Sequence, residues 1–185
     1  MSYRLAAAIA LAAAVIAPGS ALASTLVIGN GLASDCSQEA IKGRSDKAVL
    51  DLCTMALETQ LMPREDTAKT YVNRGVVYLR RGVYDMAEKD FARAERLSKD
   101  LPEVFINRGA IRIRQSRFTE AVAELDKGIA LMPFEPEKGY FNRGVAKEAL
   151  DDLQGAYMDF RKAAELKPDW DMPKKEMSRF IVEKR

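Results

Sequence analysis

Tyr71-Val72-Asn73-Arg74-Gly75, Phe105-Ile106-Asn107-Arg108-Gly109 and Tyr140-Phe141-Asn142-Arg143-Gly144 are one phrase written three times, at separations of 34 and 35 residues. A fixed period of this size marks stacked helical hairpins. A single hairpin cannot bury its own apolar face, so neighbours must stack into a rod with one broad inner wall. The register extends beyond the phrase. Ala87, Ala121 and Ala156 align, as do Phe91, Leu125 and Phe160, and Ala94, Gly128 and Ala163. Pro133 and Pro168 close two of the units, while the first ends in Lys99-Asp100-Leu101-Pro102.

Glycine inside a helix costs about 1 kcal/mol relative to alanine, so three at one phase imply a packing reason. The spacing predicts a close approach between the two helices of each unit, with Gly75 facing Ala87, Gly109 facing Ala121 and Gly144 facing Ala156. The Phe91, Leu125 and Phe160 column is then expected to fill the layer between units. The hairpin turns read Arg81-Gly82-Val83-Tyr84, Gln115-Ser116-Arg117-Phe118 and Asp151-Asp152-Leu153. Only the first carries the glycine that most readily takes a left-handed helix end.

The pattern resembles the tetratricopeptide repeat, in the variant whose first helix reads aromatic-x-N-R-G and whose second reads A-x-x-D-F-x-x-A, over roughly residues 68–170. It departs from the family in having arginine after each asparagine where leucine is more usual, and Phe134-Glu135-Pro136 adds one residue before the third unit. The resemblance implies an all-α, right-handed solenoid of stacked antiparallel helix pairs, with full repeats at 68–101, 102–136 and 137–170. It also implies that the first helices line the concave wall and that the chain binds other proteins.

The flanks complete this architecture. Residues 1–23 read as an export signal: Arg4, an apolar run from Leu5 to Ala17, a Pro18-Gly19 break and Ala21-Leu22-Ala23 as a small-x-small cleavage site. A spanning helix needs about 20 apolar residues, more than this run supplies, so no membrane span is expected in the mature chain. The expected location is the periplasm of a bacterium, with secretion as the alternative. Residues 24–67 are expected to hold a degenerate half-repeat, with a helix over 45–59 capped by Ser45 and a short stretch around Cys36–Lys42 beside it. Residues 171–185, with the apolar stripe Met177, Phe180 and Ile181, read as a polar-faced capping helix.

Cys36 and Cys53 are the only cysteines. In an oxidising compartment an intrachain disulfide is the leading reading, and closing a loop of that length would stabilise the fold by roughly 3 kcal/mol. The competing reading is a redox-active or metal-binding pair. Against it, catalytic thiol pairs usually sit two residues apart, and the chain has no histidine to complete a metal site.

Lysine plus arginine number 29 against 27 aspartates and glutamates. That near-balance lacks the clustered basic excess of a nucleic-acid binder. The absence of histidine removes the commonest general base. No G-x-S-x-G, phosphate-cradling glycine loop or H-E-x-x-H is present, so the reading is a non-enzymatic protein with no cofactor or metal. The alternatives are an enzyme or redox protein using the cysteine pair, and a structural part of an envelope assembly. Self-association through an end stays open.

With the glycines as a ruler, the partner surface is expected at Val72, Ile106 and Phe141, then Val76, Ala110 and Val145, then Leu79, Ile113 and Glu148. Lys69, Glu103 and Lys138 flank it at the helix starts, and Arg80 and Arg114 near two helix ends. Such a surface would be an apolar stripe bordered by charge, suited to a peptide inserting hydrophobic side chains. Asn73, Asn107 and Asn142 would form a ladder of amides able to hold a partner's backbone, since each can donate and accept. The family's dicarboxylate clamp is matched at Asn107 and Lys138 but not at Val72, Val76 and Asn142. Arg74, Arg108 and Arg143 are expected to pair with carboxylates such as Asp90 and Asp159 on the opposing helix.

Overall fold

The chain is an α-solenoid of stacked antiparallel helix pairs; the computed structural model describes residues 2–5 and 31–183, with side chains from 31 to 180. Apart from Ser2–Leu5, the expected export signal lies outside the described residues. A first hairpin, α1 (Leu32–Ile41) and α2 (Lys47–Thr59), precedes the three repeats. The repeats are α3 (Arg64–Arg80) with α4 (Tyr84–Leu97), α5 (Pro102–Arg114) with α6 (Phe118–Ala130), and α7 (Pro136–Ala149) with α8 (Leu153–Leu166). α9 (Asp171–Met177) packs on α8.

The boundaries follow from local chemistry. Pro102 and Pro136 each stand at the start of a first helix, where a missing N–H costs nothing. The helix expected over 45–59 begins at Lys47, because the carboxylate of Asp46, not Ser45, caps it by accepting from the N–H groups of Ala48 and Val49. The half-repeat is in fact a complete short hairpin. Cys36 and Cys53 are joined across it, with Cα atoms 4.9 Å apart and both sulfurs in a core shared with Ala40, Val49 and Val77.

At the other end the expected capping helix over 171–185 stops at Met177. The chain continues as β2 (Phe180–Glu183), paired antiparallel with β1 (Ser2–Leu5), so that Leu5 lies opposite Phe180. The β-branched pair Ile181-Val182 favours the extended form over a helix. Phe180 still serves the cap, closing the last layer against Tyr157 and Phe160.

Inside each repeat the glycine meets a larger partner than its expected alanine. A Cβ on Gly75 would lie 2.5 Å from Cε1 of Phe91, one on Gly109 2.5 Å from Cγ of Leu125, and one on Gly144 2.8 Å from Cε1 of Phe160. The Phe91, Leu125 and Phe160 column therefore lies within the hairpins, seated directly on the glycines. Alanine at 87, 121 and 156 is buried in the same layers. All three hairpin turns adopt the left-handed end, at Gly82 (φ 74°), Ser116 (φ 58°) and Asp151 (φ 64°), although only the first has glycine.

Candidate interaction surface

The wall predicted from the sequence is present as a set of residues, but not as an open apolar stripe. Val72, Val76, Ile106 and Ala110 are 0 % exposed, Phe141 is buried, and Val145 is half-buried. The reason is the closeness of successive first helices. Val72 and Val76 share a core cluster with Val104 and Ala110 of the next repeat, and Ile106 and Ile113 share one with Ala146 of the repeat after. Phe141 is held between Phe160 and Trp170, with ring centroids 5.6 and 4.9 Å away. Side chains at this phase are the mortar between units. Of the other wall positions, Leu79 and Ile113 are buried too, and Glu148 bonds Arg179 at 2.6 Å.

The amide ladder keeps its register. Asn73, Asn107 and Asn142 are all buried, one per first helix, and each is engaged. A buried amide must satisfy both a donor and an acceptor, and none of these three has a buried side-chain atom left without a hydrogen-bond partner.

The arginine column is structural in two repeats. Arg74 donates through Nε and Nη2 to both oxygens of Asp90, at 2.8 and 2.9 Å, and Arg143 does the same to Asp159, at 2.8 and 2.7 Å. The guanidinium of Arg74 lies over the Tyr71 ring and that of Arg143 over Tyr140. Hydrogen bonding to Asp159 pushes the Arg143 pKa further up, against the effect of burial. The middle repeat breaks the pattern. Glu124 replaces aspartate at the equivalent position, and Arg108 pairs back into the previous repeat with Glu95 at 2.8 Å and Glu88 at 3.4 Å. Oε2 of Glu124 is then buried without a hydrogen-bond partner. Sequence spacing could show the Asp-to-Glu change but not the turned arginine.

The charged rim runs along the first-helix starts. Lys69 pairs with Glu65 at 2.7 Å and Lys138 with Glu135. Between them Glu103 is 8 % exposed, and burial pushes its carboxyl pKa up, opposed by its own backbone N–H and by Lys69 and reinforced by Glu135. At the far ends Arg80 donates to the backbone carbonyl of Ala40, tying α3 to the first hairpin, and burial lowers its pKa. Arg114 is half-buried and engaged. Cys36 and Cys53 are both fully buried, which removes them from any surface chemistry. Among the described residues no cluster of histidine, cysteine or carboxylates could hold a metal ion, and no helix is long and apolar enough to cross a membrane.

Comparison with known proteins agrees with this geometry. The tetratricopeptide repeat family model matches residues 68–101 and 137–169. Human tetratricopeptide repeat protein 13 is 31% identical over 129 residues, covering 67% of this chain and 14% of that protein. Mouse RNA polymerase II-associated protein 3 is 33% identical over 109 residues, covering 57% of this chain and 16% of that protein. The chain thus spans about a seventh of the length of these relatives. Among solved structures, MamA superposes with a TM-score of 0.60 at 17% identity, over 81% of this chain and 82% of its own. The first such domain of Spaghetti (RPAP3), solved with an HSP90 peptide SRMEEVD, superposes at 0.58 with 25% identity, over 62% of this chain and 92% of its own. Residues 68–101 and 137–169 of this chain match tetratricopeptide repeats.

Proposed function

We propose that this chain is a non-enzymatic interaction module that holds an extended segment of another protein along the first-helix wall, with the asparagine ladder as its grip. The observation that carries the reading is the ladder itself. Asn73, Asn107 and Asn142 sit at one phase of three consecutive first helices, buried and already engaged within the chain, so a bound segment would share or take over bonds that the folded chain makes. A main chain laid along the wall offers each amide a carbonyl and an N–H without demanding particular side chains. The apolar positions Val72, Val76, Ile106, Ala110 and Phe141 shape the floor from inside the core, and Lys69, Lys138, Arg80 and Arg114 set the charge at its edges. A neighbour of the same fold, solved with a peptide, supports the reading by analogy.

Location belongs to the same proposal. The signal-like start and the buried Cys36–Cys53 disulfide both favour an exported protein working in an oxidising space, such as a bacterial periplasm. The disulfide also counts against the redox alternative, since neither sulfur is accessible.

The test is a random peptide library selected on the purified chain, followed by titration of one selected peptide. Asn107→Ala combined with Asn142→Ala should weaken that peptide about 10-fold or more, the loss of one or two hydrogen bonds to a buried amide. Unchanged affinity in the folded double variant rejects the ladder.

A further inference from the structure

β2 is half of a two-stranded sheet, and its other half, Ser2–Leu5, lies within the stretch that the sequence marks as a removable export signal. The pairing sets Ser2 opposite Glu183, Tyr3 opposite Val182, Arg4 opposite Ile181 and Leu5 opposite Phe180. β1 lies against α8 as well as β2. The other anchors of β2 do not involve β1. Phe180 closes the last layer, its ring centroid 5.8 Å from that of Tyr157 and 6.1 Å from that of Phe160. Arg179, the residue before the strand, pairs with Glu148 of α7 and Glu176 of α9, both at 2.6 Å. Removal of the leader would therefore leave β2 tethered to α7, α8 and α9, with a row of N–H and C=O groups bared along one edge.

We propose that this edge of β2 is a β-augmentation site, occupied by the chain's own leader before export and by an extended segment of another protein afterwards. The inference rests on the export reading above and is independent of the asparagine ladder. An anchored strand with a bare edge is a template, and a short segment added to it gains main-chain hydrogen bonds that demand no particular sequence. Selectivity comes from alternation. Residues two apart share one face of a strand, so Tyr3 and Leu5 stand on the face of their register partners Val182 and Phe180, the face that Phe180 turns to the core. A fitting partner thus carries aromatic or aliphatic residues at alternate positions, as the leader does at Tyr3 and Leu5. A second copy of β2 is a poorer occupant. Arg179 and α9 directly precede it and are bound to their own chain, so it could reach the place beside α8 only with its whole stack behind it. Until export the leader keeps the edge from pairing with other chains.

The experiment compares the full chain with the form recovered after export from a bacterial host, its N-terminus read by mass spectrometry. The probe is a labelled synthetic peptide carrying Ser-Tyr-Arg-Leu between polar flanks, titrated by fluorescence anisotropy. The exported form is expected to begin beyond Leu5 and to bind the peptide. The full chain should bind it about 10-fold more weakly or worse, because its own leader competes at the high effective concentration of a tethered segment. N-methylation of every second peptide amide deletes main-chain donors and keeps the side chains, so it should abolish binding in one of its two phases. Ile181→Pro combined with Val182→Pro should abolish it too, with the helical content of the stack unchanged. An N-terminus that retains Ser2–Leu5 overturns both the export reading and this site. A processed chain that ignores the peptide, binds both methylated forms as tightly as the parent, or pairs only with a second copy of itself overturns the site and leaves export standing.

Discussion

Arg108 turns its guanidinium away from Glu124, although their counterparts Arg74 and Asp90 form a two-pronged ion pair within one hairpin. Two otherwise equivalent positions therefore respond in opposite ways to loss of the acid. Asp90→Ala strands the buried Arg74 and should cost roughly 3–5 kcal/mol in chemical denaturation. Glu124→Leu removes an unsatisfied buried oxygen and should be neutral or stabilising in the same assay. Equal destabilisation at both sites would contradict this account.

Gly109→Ala sets two magnitudes against each other. Alanine gains about 1 kcal/mol of helix propensity. Its Cβ would be driven to 2.5 Å from Leu125 Cγ, and overpacking of this kind costs typically 1–3 kcal/mol. The expected result is a net loss in thermal stability that Leu125→Ala in the same chain relieves in part, a non-additivity read from a double-mutant cycle.

Ser116→Gly should raise the melting temperature. Ser116 holds φ 58° at the same turn position where Gly82 holds 74°, and a left-handed residue with a Cβ carries about 1–2 kcal/mol of strain. The greater entropy of glycine in the unfolded chain takes back part of that, so the expected gain is a fraction of 1 kcal/mol to about 1 kcal/mol. Gly82→Ser should lose a similar amount.

Replacing Cys36 and Cys53 together by alanine should destabilise the first hairpin by about 2–4 kcal/mol. Hydrogen exchange is the suitable readout. The loss should appear in α1 and α2 and at the C-terminal end of α3, where Val77, Arg80 and Arg81 meet that hairpin, and fade toward α8.

Glu103→Gln probes the pH response. Burial raises the folded-state carboxyl pKa above its unfolded value, so the neutral acid is favoured by folding. The stability this gives is present below the ordinary carboxylate range and is lost as pH rises through the folded value. The glutamine variant should therefore unfold at a higher temperature than wild type at pH 7, with the gap closing once the pH falls below the usual carboxylate pKa. A gap that persists at low pH would point to a cause other than the charge.

The period alone carried the architecture, because Asn-Arg-Gly recurs at a spacing that only stacked hairpins satisfy. It located the helix pairs and the Arg74–Asp90 and Arg143–Asp159 contacts, which depend on residues one hairpin apart, while the disulfide followed from Cys36 and Cys53 being the only two cysteines. It missed where the wall's apolar side chains go. Whether Val72 faces a groove or the next repeat depends on how closely α3 and α5 stack, which no single helix encodes. The nearest side chain to each glycine was misread for a related reason, although Gly144 also meets the Ala156 carbonyl as expected: Phe91 lies one turn beyond Ala87 on the same face, and only the rotation of α4 decides between them. The end of α9 at Met177 was hidden because Phe180 and Ile181 suit a helical stripe and a strand equally well.

The Cys36–Cys53 bond closes a loop wholly inside the first hairpin and links no hairpin to the next. Pulled from its two ends, the repeat stack would thus lengthen hairpin by hairpin, each neighbour contact yielding as it is loaded. Only the 17-residue interval between the sulfurs would refuse to pay out, so total extension should fall short by that interval until a reductant is added.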